Sequence, residues 1–100
     1  MGIKSELSED SQTVTIFIDG SFDYHLHKDF LAAFRLHPKG QKQFVVDLTG
    51  VKSVDGSALG MLLQLKGHNK TNGAVRLVNP SDAVLKALRD VEYDALFHID

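Results

Sequence analysis

Cysteine is absent from this 100-residue chain. That excludes thiolate catalysis, disulfide staples and sulfur-based zinc sites, and it fits a reducing cytosol. Proline is scarce, with two residues, and no stretch is rich enough in Pro, Gly or Ser to serve as a linker. There is no internal repeat. Long hydrophobic runs are missing too. The longest strongly apolar stretch, Ala58 to Leu65, is interrupted by Gly60 and Gln64 and falls far short of the ~20 residues that span a bilayer. Met1 to Glu6 lacks the basic-then-apolar pattern of a secretion signal. Eleven basic residues against thirteen acidic ones leave a net charge of −2, without the basic excess that phosphate backbones demand. No Walker or dinucleotide glycine pattern occurs. The expectation is a cytoplasmic protein with no membrane span, no nucleic-acid partner and no cofactor.

The composition that remains, 43% hydrophobic and 24% charged, is that of a folded domain, and the length suits one domain over residues 1–100. Ile3 to Glu9 reads as a weak edge strand. Thr13 to Ile18 is dense in β-branched and aromatic residues and reads as a strand closed by Gly20. From Asp23 the period changes: Leu26, Phe30, Ala33 and Phe34 share one helical face, which Pro38 and Gly40 end. Phe44 to Leu48 is a nearly continuous apolar run, as expected of a strand buried on both faces. A polar loop, Thr49 to Asp55, leads to a second helix over about Ser57 to Asn72, stopped at Gly73. Ala74 to Val78 is another strand. Asn79 to Asp82 caps a third helix with Val84, Leu85, Leu88 and Val91 as its apolar stripe, and Phe97 to Ile99 is a last short strand. The order β-β-α-β-α-β-α-β implies parallel pairs joined by right-handed crossovers. The expected fold is an α/β sandwich: a mixed sheet of four or five strands with helices mainly on one face.

The segment Val51 to Leu65 carries the most information. Ala58, Leu59, Met61, Leu62, Leu63 and Leu65 cover roughly 200° of a helical wheel, where a sheet-packed helix needs only a stripe of ~100°. Either neighbouring helices bury the excess, or the first two turns, Met61 included, form an exposed partner-binding patch. Gly60 sits early in the helix, where glycine permits close approach by another chain segment. Asp55, Gly56 and Ser57 precede it. Asp55 or Ser57 can cap the helix; alternatively the free amides hold a phosphate or face a partner.

Val45-Val46-Asp47-Leu48, Val51 and Val54-Asp55-Gly56-Ser57-Ala58-Leu59-Gly60-Met61-Leu62-Leu63 resemble the signature of STAS domains of the anti-sigma-factor antagonist family. Gly20-Ser21-Phe22-Asp23 resembles the family's Gly-x-Leu/Phe-Asp, and Ala74 to Leu88 its third βα unit. The resemblance spans about residues 13 to 99. It implies a bacterial, non-enzymatic module of transcription regulation, acting in a phosphorylation-controlled partner switch. Its partners would be an anti-sigma factor or a serine kinase, with a serine phosphatase resetting the switch. The implied contact residues are Asp23, Asp55, Gly56, Ser57, Ala58, Gly60 and Met61. The family's phosphorylated serine directly follows the motif Asp, and here that position is Gly56. Either Ser57 takes over the role, or the chain is not switched there, or residue 56 is not the natural one.

Two other chemistries have candidate residues in the sequence. Asp23, His25 and His27 are spaced i, i+2, i+4, but in a helix His25 and His27 point about 200° apart, unsuited to a metal. His37, His68 and His98 are expected at the surface. The alternative function is a small enzyme or ligand-binding domain using Asp23, Asp55 and Ser57; its mark would be a cleft at those residues, where a binding module would be flat or convex.

Overall fold

The structure, a computed structural model, describes residues 2–37, 42–69 and 75–100. Five strands form one sheet in the order β1-β2-β3-β4-β5, with β1 (Ile3–Leu7), β2 (Thr13–Phe22), β3 (Gln43–Val54), β4 (Arg76–Val78) and β5 (His98–Ile99). β1 pairs antiparallel with β2, and the other pairs are parallel. The crossovers carry α1 (His27–Arg35), α2 (Gly56–His68) and α3 (Asp82–Asp90). Because β2 to β5 follow one another in sheet order, right-handed crossovers deliver all three helices to the same face. Phe30 and Phe34 of α1, Met61, Leu62 and Leu65 of α2, and Val84 and Leu88 of α3 are buried there, against Ile16, Val46 and Leu77 of the sheet. α2 is the middle helix. It follows that its wide apolar arc is core, closed in by its neighbours, and only Leu63 of that arc is strongly exposed, at 44%.

Three expectations about the strands are corrected. β3 is buried on one face only: Phe44, Val46 and Leu48 are buried, while Val45 and Asp47 between them are half-buried. Among the described residues no helix packs on the opposite face of the sheet, which leaves Val45 partly open. The expected loop from Thr49 is strand, since β3 runs on to Val54, and β2 runs through Gly20 to Phe22. Both extensions survive by bulging. From Phe17↔Asp47 to Asp19↔Gly50, β2 advances two residues and β3 three; from Gly20↔Val51 to Ser21↔Ser53, β3 again advances one more. Each bulge inserts one residue and flips the inward-facing parity, so the buried positions pass from Leu48 to Val51. Gly20 sits at φ +84°, a conformation suited to glycine.

Gly50 is placed by contact. A Cβ there would lie 2.5 Å from Asp19 Oδ1 and 3.3 Å from Asp19 Cα. Gly50→Ala is therefore expected to cost about 1–2 kcal/mol by overpacking. Adding Asp19→Ala, which removes the nearer atom, should recover part of the loss in denaturant melts.

α3 begins at Asp82 with Ser81 as N-cap, its hydroxyl accepting from the Val84 amide at 3.2 Å. Val91, expected in the apolar stripe, is 46% exposed, because the helix ends at Asp90 and the chain turns away. The expected helix stops at Pro38, Gly40, Asn72 and Gly73, and the start of the fourth strand at Ala74, lie outside the described residues.

His37 and His68 are half-buried rather than at the surface. The ends of α1 and α2 converge there: His68 Nε2 meets the His37 carbonyl at 2.7 Å, and its ring lies 5.0 Å from Phe34 and 6.2 Å from Phe44. Burial, then the charge of Lys42 and the neighbouring His68, lowers the His37 pKa below its ordinary 6.5. A base whose folded pKa is depressed stabilises the fold while neutral, and that contribution is lost as pH falls from about 6.5 through the folded value. His37→Gln removes the effect and spares the backbone carbonyl that His68 uses. The drop in urea midpoint between about pH 7.5 and about pH 5 should accordingly be smaller in His37→Gln than in the unmodified chain.

Candidate functional site

β2 and β3 end at Phe22 and Val54, so Asp23 and Asp55 leave the carboxyl ends of adjacent parallel strands, where open α/β sheets place their sites. Both aspartates are caps. Asp55, in extended conformation, is the N-cap of α2, and its Oδ1 accepts from the Ala58 amide at 3.0 Å. The Ser57 hydroxyl donates to the same oxygen at 2.7 Å. These bonds, the Ser57 hydroxyl first, hold the Asp55 carboxyl below the usual carboxylate range. Asp23 caps a 3₁₀ turn, Tyr24–Leu26, accepting from the His25 amide at 3.1 Å, and its carboxylate also contacts His25 Nδ1. The His27 ring instead stacks on Tyr24, with centroids 4.8 Å apart. The two histidines thus serve different neighbours.

The structure separates the seven expected contact residues into two groups. Asp55, Gly56 and Gly60 are exposed, and Asp23 and Ser57 are half-buried. Ala58 and Met61 are buried, at 0% and 2%. As direct contacts those two are corrected: they occupy the inner face of α2, and no partner reaches them in the folded domain. Gly60 lies on the opposite, exposed face. Among the described residues, and apart from the helix's own backbone, nothing lies within 4 Å of a Cβ built at Gly56, Gly60 or Gly67, so no close approach by those residues accounts for these glycines.

With Leu63, the three glycines lie at i, i+4, i+7 and i+11 along the outer face of α2. The sequence reading missed this stripe because it followed the apolar residues. The signal was available in the glycine spacing itself.

Two hollows among the described residues lie away from Asp23 and Asp55. One, of about 600 Å³, is lined by Phe17, Asp19, Asp47 and Thr49 among others, on the side of the sheet away from α1, α2 and α3. The second, of about 550 Å³, lies by Arg89, Asp94 and Phe97. Neither is lined by Asp23, Asp55 or Ser57. No helix among the described residues is long and apolar enough to cross a membrane.

These features can be set beside known proteins. A family model described as Mlab, STAS domain matches residues 5–97. A STAS-domain containing protein of Pseudomonas aeruginosa (strain UCBPP-PA14) is 39% identical over 100 residues, which is 99% of each chain. Among solved structures, the anti-sigma factor antagonist SpoIIAA in its unphosphorylated form aligns with a TM-score of 0.80 at 20% identity, over 99% of this chain and 88% of that one. The STAS domain of an antisigma-factor antagonist from Rhodobacter sphaeroides aligns with a TM-score of 0.59 at 27% identity, covering 76% and 83%. A family match over nearly the whole sequence, a relative of the same length and a shared five-stranded sheet agree: the chain belongs to the STAS-domain family and has the fold of the anti-sigma factor antagonists.

Proposed function

We propose that this chain is one regulatory domain, residues 1–100, that binds a protein partner and catalyses nothing. The partner is an anti-sigma factor or a serine kinase of the partner-switching type in the bacterial cytoplasm. The contact surface is the turn at Asp23 together with the outer face of α2: Asp55, Gly56, Ser57 and Gly60. One observation carries the reading. A glycine inside a helix costs up to ~1 kcal/mol relative to alanine, and Gly60 stands on an exposed helical face where no other described segment comes near enough to recover that cost. Removing the side chain lets a second backbone come close, and here the room opens outward.

Residue 56 has no hydroxyl, and Ser57 Oγ is engaged with Asp55 at 2.7 Å. The domain therefore stays in its binding-competent form, with no work for a serine phosphatase. Gly60→Arg tests the surface. The substitution points into solvent, so circular dichroism and the thermal midpoint should change little, while affinity for the purified anti-sigma factor or kinase of the same cell falls at least ~30-fold, the scale of a central interface residue. Unchanged affinity in a folded Gly60→Arg would defeat the reading.

A further inference from the structure

After α3 the chain makes a left-handed turn at Glu92 (φ 62°) and enters a 3₁₀ turn, Tyr93–Ala95. Tyr93 is 7% exposed and its ring packs on Phe97, with centroids 5.3 Å apart. Its hydroxyl donates to the Leu59 carbonyl of α2 at 2.9 Å. That carbonyl belongs to the second turn's hydrogen-bond ladder, and a carbonyl oxygen has a second lone pair to offer. The contact crosses 34 positions of sequence and ties the α3–β5 connection to the helix whose cap and first turns carry Asp55, Gly56, Ser57 and Gly60.

We propose that Tyr93 is a positioning residue for the first turns of α2: its hydroxyl, locked onto the Leu59 carbonyl, fixes how the Asp55 to Gly60 segment is presented. The need for such a clamp follows from local composition. Gly56 and Gly60 give this end of α2 a low intrinsic helix propensity, and helix ends fray first. A hydrogen bond from a buried, well-packed ring opposes that fraying from outside the helix. Burial raises the phenol pKa, so the hydroxyl remains a donor throughout the neutral range. The significance for binding rests on the α2 face being the contact surface, as proposed above; the clamp itself does not.

The test compares the full chain with Tyr93→Phe, which keeps the ring and deletes only the donor, by hydrogen exchange read on peptides. Peptides covering residues 55–63 should exchange roughly 3- to 10-fold faster in Tyr93→Phe, the range of one net hydrogen bond, while peptides from β2 and β3 keep their rates. Unchanged exchange over 55–63 overturns the proposal. So does an equal acceleration in β2, β3 and α2, which would make Tyr93 a general stabiliser only. Should the local acceleration appear while Gly60→Arg binds the partner normally, the clamp stands and the proposed contact surface is what fails.

Discussion

Met61→Lys should leave no folded domain to assay. Met61 is 2% exposed and lies among Ala58, Leu62 and Leu65 on the inner face of α2, in one continuous core cluster. A lysine there must bury its ammonium without a partner or tear α2 from the sheet. Either outcome costs several kcal/mol, against a total stability of ~5–15 kcal/mol for a domain of this kind. Met61→Leu is the control, a volume-conserving swap that should cost under ~1.5 kcal/mol. The expected result is an absent or strongly shifted thermal transition by circular dichroism for Met61→Lys, and a near-normal one for Met61→Leu. A Met61→Lys variant that melts like the unmodified chain would mean that α2 presents its apolar arc to solvent, contrary to the fold described.

That arc shows where sequence reasoning was strong and where it stopped. The strands and helices and their order were legible from periodicity, because each βα unit changes its hydrophobic period at its junction; the one-sided helix layer was not, since Phe44 to Leu48 reads as a strand buried on both faces. What the wheel of α2 could not say is how many neighbours it has. A helix between two others buries more than a single stripe, and that depends on sheet order, which is a non-local property. The ends of β2 and β3 were illegible for another reason. Past Leu48 the inward positions continue at Val51 with a spacing of three, because β3 bulges, and a period-two search reads such a stretch as loop. Asp55, by contrast, was readable as a candidate cap from residue type and position, whereas the cap at Asp23 was not read. The Tyr93 contact was not, since it joins residues 34 positions apart.

Gly56→Ser is expected to create an acceptor hydroxyl that the unmodified chain lacks at that position. Gly56 is the first residue of α2, exposed, with nothing within 4 Å of a Cβ, so a serine fits there without strain. Its hydroxyl would stand in solvent beside the free amides of the helix start, where added negative charge is favoured by the helix dipole. Ser57, one residue on, is rotated by about 100°, is half-buried, and donates its hydroxyl to Asp55. A kinase holding its acceptor in line for transfer should not tolerate that displacement. Intact mass after incubation with the cognate kinase and ATP should show one phosphate on Gly56→Ser and none on the unmodified chain. A phosphate on both, abolished in the unmodified chain by Ser57→Ala, would assign the switch to Ser57 instead.

The central claim is that this STAS domain binds its partner without being switched off. Titration calorimetry of the unmodified chain against its purified anti-sigma factor or kinase, before and after incubation with that kinase and ATP, addresses it directly. The same dissociation constant in both titrations, with Gly56→Ser weakened by at least ~10-fold after ATP as charge enters a close-packed interface, is the predicted result. A loss of affinity by the unmodified chain after ATP, or no binding before it, would contradict the account.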